Sequence, residues 1–184
     1  LADTDRRPNR LIAWLAAALF GGLAGCASQP DQASMPTVPY VDLDRFMGDW
    51  YVIGNIPTFI ERDAHNAIER YARAADGSIE TTFEFNAGAA DGPRKIYRPR
   101  GFVIDTASNA VWGMQFVWPI KADYRVVYLS DDYAYTAIGR NRRDYVWIMA
   151  RTPTMPESDY AAIVARLQAL GYDPARIRRV PQSG

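Results

Sequence analysis

Residues 79–86 read Ile79-Glu80-Thr81-Thr82-Phe83-Glu84-Phe85-Asn86, and this stretch sets the fold class. Ile79, Thr81, Phe83 and Phe85 fall on one face, while Glu80, Thr82, Glu84 and Asn86 fall on the other. Strict alternation of this kind marks a strand with one face in a core and one in water. Turn signals bracket it, with Asp76-Gly77 before and Asp91-Gly92 within the loop Gly88–Pro93 after.

Working outward, the same pattern of short apolar runs and turn signals repeats. It predicts strands over 50–56, ended by Pro57, and over 66–74, 95–104, 110–118, 123–129, 134–140 and 144–151. The intervening turns fall at 106–109, 119–122, 130–132 and 141–143. Eight antiparallel strands with mostly short links predict an all-β, up-and-down β-barrel, which closes its own sheet edges. One segment departs from this. Glu157–Leu170 places Tyr160, Ile163, Val164, Leu167 and Leu170 at helical spacing, after Pro156 and before Gly171. It predicts a C-terminal α-helix whose apolar stripe packs on the outside of the barrel. Ile177 and Val180 in the tail are placed to add a final strand.

The N-terminal end has a different character. Arg6, Arg7 and Arg10 precede an uncharged apolar run of 13 residues, Leu11 to Leu23. That is shorter than the ~20 residues a helix needs to cross a bilayer, so the pattern is that of a cleavable secretory signal. It ends in Leu23-Ala24-Gly25-Cys26, which resembles the lipobox of bacterial lipoproteins, where a diacylglyceryl group is attached to the cysteine sulfur. Cys26 is the only cysteine, so an internal disulfide is excluded. By that resemblance Cys26 is the lipid-attachment residue, further acylated with a chain such as palmitate. Two or more chains give stable anchoring where one does not. Ala27 after the cysteine implies the outer membrane, facing the periplasm. Residues 27–39, rich in Pro, Ser and Gln, are expected to form a flexible tether of up to ~40 Å at ~3.3 Å per residue.

Beyond residue 25 the chain has 159 residues, with 18 basic and 19 acidic side chains. That is one domain's length, and the charge is nearly balanced without a basic stripe, so nucleic acid is not expected as a partner. Trp, Tyr and Phe make up 12% of the chain, more large aromatics than a compact core needs, which hints at a lined cavity.

Three patches occur in order: Gly48-Asp49-Trp50-Tyr51, Asp131-Asp132-Tyr133, and Arg151 within Ala150-Arg151-Thr152-Pro153. With a helix after the third, they resemble the lipocalin family. Lipocalins carry Gly-x-Trp at the start of the first strand, Thr-Asp-Tyr before the seventh, and Arg at the end of the eighth. Here Asp131 stands where the family often has Thr. Tyr145–Pro153, Asp173–Val180 and the lipobox add a finer likeness to bacterial outer-membrane lipocalins, relatives of apolipoprotein D. The resemblance implies three parts: a signal peptide over 1–25, a lipidated N-terminus and tether over 26–39, and a lipocalin domain over 40–184. It also implies fatty acid or lysophospholipid ligands, a role in membrane maintenance, and pairing into homodimers in some members. Val117 and Ile120 would allow such a dimer patch.

Gly48, Trp50 and Arg151 read as markers of the fold. Trp50 is placed to plug the closed end, Arg151 to lay its guanidinium over the indole, and Gly48 to permit close approach. Strand parity then names the inward face. With Trp50 inward, Val52 and Gly54 follow; Met149, Trp147 and Tyr145 share a face with Arg151; Trp112, Met114, Phe116 and Trp118 share another. The candidate ligand-binding residues are Val52, Glu69, Tyr71, Phe83, Phe85, Met114, Phe116, Tyr124, Val126, Tyr128, Tyr145 and Trp147. A packed core is the other use of the same face, especially near Trp50. Glu69 is the odd member, since a buried carboxylate needs a partner or a raised pKa. It either pairs with a nearby Arg or Tyr or faces the amino group of a phospholipid headgroup.

A lipid carrier without catalysis is the expected function. Enzymatic chemistry has little to draw on. The one histidine, His65, shares a loop with Glu61 and Asp63, and two ligands fall short of a zinc site. No Gly-x-Ser-x-Gly elbow, metal or cofactor is expected. A structural or assembly lipoprotein, whose barrel binds a protein partner, is the alternative.

Overall fold

The computed structural model describes residues 34–183. The signal-peptide reading and Cys26 lie outside the described residues. A short helix α1 (Leu43–Phe46) leads into β1 (Gly48–Ile56), β2 (Ala64–Arg73), β3 (Ile79–Ala87), β4 (Arg94–Tyr97) and β5 (Arg100–Val103). There follow β6 (Val111–Val117), β7 (Ile120–Leu129), β8 (Tyr135–Gly139), β9 (Val146–Ala150), α2 (Glu157–Ala169) and β10 (Arg178–Arg179).

Neighbouring strands pair antiparallel around the sheet, and β9 returns to pair with β1 and close the barrel. The strand predicted over 95–104 is broken in two. Pro99, which has no N–H to donate, sits at the break. β4 stays with the later half of β3, while β5 pairs with the start of β3 and crosses to β6. Taken as one broken strand, β4 and β5 complete an eight-stranded barrel. The expected turn at 119–122 is also shorter, because β7 already begins at Ile120 after the Trp118-Pro119 link.

β3 behaves as its alternation dictates: Ile79, Thr81, Phe83 and Phe85 are buried and Glu80 is exposed. Parity fails where strands bulge. The β1–β9 register runs Val52↔Met149 and then Gly54↔Ile148, so one residue of β1 is unmatched. A bulge inserts one extra residue and switches the faces beyond it. Gly54 therefore points outward, against the inward expectation, and a Cβ there would meet the Tyr160 hydroxyl of α2 at 2.6 Å. A second bulge, Val126↔Ile138 then Tyr128↔Ala137, corrects another expectation. Val126 is in the inner core, whereas Tyr128 packs with the outer cluster, with Arg166 of α2 above its ring at 5.8 Å. Trp118 is not inward either; it lies in the link and is 82% exposed.

The outer cluster is where α2 docks. Tyr160, Ile163 and Leu167 cover Ile53, Ile56, Val127, Val146 and Ile148 on the sheet's outer face. Gly171 terminates the helix with φ +93°, a left-handed conformation suited to glycine. The N-terminal segment corrects a further expectation. Residues 34–39 are not a free tether: Met35 and Val38 are buried, and their N–H groups donate to Asn141 Oδ1 (2.6 Å) and the Val126 carbonyl (2.9 Å). Two apolar side chains in a polar run were enough to dock it. At the C-terminus, β10 pairs with β1, Val180 enters the inner core, and Gln182 donates to the carbonyls of Val52 and Ala67. The tail thus stitches β1 to β2 where they diverge.

The closed end unites the three sequence patches. Arg151 lies 3.8 Å above the Trp50 ring and donates to the carbonyls of Asp49 (2.9 Å), Arg45 (2.6 Å) and Tyr133 (3.3 Å). Gly48 adopts φ +94°, which a side-chain-bearing residue rarely tolerates, so its role is backbone conformation as well as proximity. Asp42 caps α1 by accepting from the N–H groups of Asp44 and Arg45, which sets Phe46 over the barrel floor. There Phe46, Trp50, Tyr71, Trp112 and Tyr124 pack as a continuous aromatic cluster, mostly tilted or edge-on, with Trp112 stacked on Tyr124.

Candidate functional site

Above that cluster the barrel is open, with a cavity of about 460 Å³. That lies within the ~300–1,000 Å³ span of small-molecule sites. Its lining is mostly apolar: Phe83 from β3, Tyr97 from β4, Met114 and Phe116 from β6, and Trp147 from β9. Phe85 packs behind, against Phe83 and Tyr97. Phe116 is half exposed, and Phe59, Val117 and Ile120 near it are more so, which leaves an apolar rim.

Of the residues expected to meet a ligand, Glu69, Phe83, Met114, Phe116, Tyr124 and Trp147 line this cavity. Val52, Tyr71, Phe85 and Val126 lie in the inner core without lining it. Tyr145 precedes β9 and is half-buried, 6.4 Å from the Trp147 ring and beneath the Arg140 guanidinium. Tyr128 is outside, as described above.

The polar groups decide the site's chemistry. Glu69 sits opposite Trp50 in the β1–β2 ladder, deep in the barrel. The Tyr71 hydroxyl donates to its carboxylate, and the hydroxyls of Tyr71 and Tyr124 share a hydrogen bond. Within the protein, the partner of this carboxyl is thus a tyrosine. Burial, reinforced by the charge of Glu61, pushes the Glu69 carboxyl up to about 8. At neutral pH it is mainly protonated. Burial also raises Tyr124, with Glu69 adding to the effect.

Glu61 is the residue that sequence reasoning misplaced, since it appeared only as a loop carboxylate near His65. Here it is 3% exposed and turned into the barrel. Its carboxylate accepts from the Thr58 N–H (2.9 Å), the Thr58 hydroxyl (3.0 Å) and Trp147 Nε1 (3.1 Å). Burial raises its pKa, and those hydrogen bonds oppose the rise. The signal that would have found it is Thr58-x-x-Glu61, the capping-box spacing, in which the glutamate reaches back to the capping N–H. Thr81 was read as inward, but its unusual state was not visible: its buried Oγ1 has no hydrogen-bond partner. Arg140 and Asp123 complete the charged lining, each held by a neighbour, Asp144 and Arg125. Among the described residues no group of three or more His, Cys, Asp or Glu is placed to hold a metal ion.

A family profile described as a lipocalin-like domain matches residues 41–182. The chain belongs to the lipocalin family. This lipocalin is 28% identical over 162 residues to temperature-induced lipocalin-1 of Arabidopsis thaliana, covering 83% of this chain and 86% of the relative. It is 25% identical over 178 residues to outer membrane lipoprotein Blc of Escherichia coli K12, covering 95% and 99%. Solved structures with the same fold include the cockroach allergen Per a 4 (TM-score 0.61, 18% identity, 83% and 96% covered) and insecticyanin of the tobacco hornworm Manduca sexta (TM-score 0.61, 14% identity, 80% and 85% covered). Family and cavity together make this a lipocalin suited to a hydrophobic ligand.

Proposed function

We propose that this lipocalin holds or carries fatty acids or lysophospholipids in its cavity, as a lipid-anchored protein of the outer membrane facing the periplasm, and serves membrane maintenance. The single observation that carries the reading is the open, apolar 460 Å³ cavity above an aromatic floor. An acyl chain entering it gains on the order of 0.8 kcal/mol per buried CH₂. That gain outweighs the cost of association once several methylenes are enclosed. The likeness to outer membrane lipoprotein Blc over nearly the whole chain supports the location, and the lipobox at Leu23–Cys26 supports the anchor. The exposed Val117 and Ile120 support pairing of two copies at the rim.

One preparation tests the reading. A Cys26→Ser protein should leave the membrane fraction, and lipid extraction with mass spectrometry should find a reproducible fatty acid or lysophospholipid bound to it. An empty barrel whose tryptophan fluorescence is unchanged by added lipid would favour a protein-binding lipoprotein instead. A Cys26→Ser protein still held in the membrane would remove the anchor from the reading.

A further inference from the structure

The floor of the cavity carries chemistry that an acyl chain does not use. Glu69 sits at that floor and Glu61, from the turn after β1, lines the same cavity, and among the described residues neither has an ion-pair partner. A second observation is independent of the carboxyls. Thr81 is 4% exposed and lines the same cavity, and its Oγ1 is unpartnered. Thr81 faces Tyr71 across the β2–β3 ladder while Glu69 faces Phe83, so Thr81 and Glu69 are diagonal neighbours on the inner face. A buried hydroxyl without a partner costs free energy until something satisfies it.

We propose that this floor is a subsite for the ammonium group of an amphiphile, whose apolar body fills the space lined by Phe83, Met114 and Phe116. The proposal rests on the cavity being a lipid site and adds what the polar end of the ligand must be. An ammonium group brings three N–H donors and no acceptor. The two carboxylates and the Thr81 oxygen offer acceptors on the cavity wall. A carboxylate placed there would find no cation, so a fatty acid enters tail first and leaves its headgroup toward Arg140, the one cation among the described lining residues.

The binding is coupled to protons. Glu69 holds a proton below about pH 8, and an incoming ammonium displaces it. Affinity for an amine therefore tightens as the pH rises from 6 to 8. The other titratable or charged groups facing this space are Glu61, Tyr97, Asp123, Tyr124 and Arg140, with Tyr71 against Glu69. Asp123 and Arg140 are already paired with Arg125 and Asp144.

The full-length protein is titrated with dodecylamine, dodecanol and dodecanoate at pH 6 and pH 8, followed by calorimetry. The expected result at pH 8 is dodecylamine binding about tenfold or more tighter than dodecanol, the worth of a charge-assisted hydrogen bond. That preference should shrink at pH 6, and Glu69→Gln should bring the amine-to-alcohol ratio close to one. Equal affinities for amine and alcohol at pH 8 overturn the subsite. So does a preference that survives both Glu69→Gln and Glu61→Gln. Dodecanol and dodecanoate binding without an amine preference would sink the subsite alone, while no binding by any of the three would sink the lipid site with it.

Discussion

The two ends of the barrel put similar side chains to opposite uses. At the closed end, Phe46, Trp50, Tyr71, Trp112 and Tyr124 pack together with ring centroids 5.1–6.5 Å apart. Arg151 seals them from outside with a cation–π contact and three hydrogen bonds to carbonyls. At the open end, Phe59, Phe116 and Trp118 are 77%, 51% and 82% exposed, and the space between the strands is empty of side chains. The aromatics at one end hold the fold together, and those at the other leave room for a guest. Glu69 lies at the boundary, where the packed cluster ends and the cavity begins.

The largest expected effect breaks the closed end. Trp50→Ala removes the central plug and should cost about 3–5 kcal/mol, read as a lowered urea midpoint. A loss under ~1 kcal/mol would mean that the cluster is not what stabilises that end.

A smaller effect sharpens the boundary. Glu69 holds its proton more tightly when folded than when unfolded, so folding takes up a proton between its ordinary value of 4.5 and about 8. Its contribution therefore weakens stability as the pH rises through that window, by up to ~1.4 kcal/mol per unit, and levels off above 8. Urea midpoints at pH 5 and pH 8 should fall for the natural protein and fall less for Glu69→Gln. Identical slopes for the two proteins would place Glu69 in water rather than at the cavity floor. The smallest effect is at the rim. Phe59→Ser should move stability by less than ~0.5 kcal/mol, because little of the ring is buried.

Much of this was legible in the chain. The alternation of Ile79–Phe85 and the stripe of α2 follow from local periodicity, and the Gly48/Trp50/Arg151 set from its resemblance to the lipocalin pattern. The cavity was legible as a face, and Phe83, Met114, Phe116, Tyr124 and Trp147 line it. The parity readings at Gly54 and Tyr128 failed for one physical cause. Parity counts assume an uninterrupted pleat, and the bulges in β1 and β7 turned Gly54 and Tyr128 outward. Local composition misled at the N-terminus too, where Met35 and Val38 are buried on the barrel, their N–H groups bonded to Asn141 and Val126 far along the chain.

By itself, then, the sequence determined the class of the fold, because the alternation of its strands, their turns and the stripe of the helix are each written in residues close together along the chain. Only the tertiary structure decided that Glu61 and Trp147, 86 residues apart, meet inside the barrel, and that Thr81 is left without a partner beside Glu69. Which polar groups share a cavity depends on closure of β1 against β9 and on where each bulge falls, and neither is encoded in any single strand.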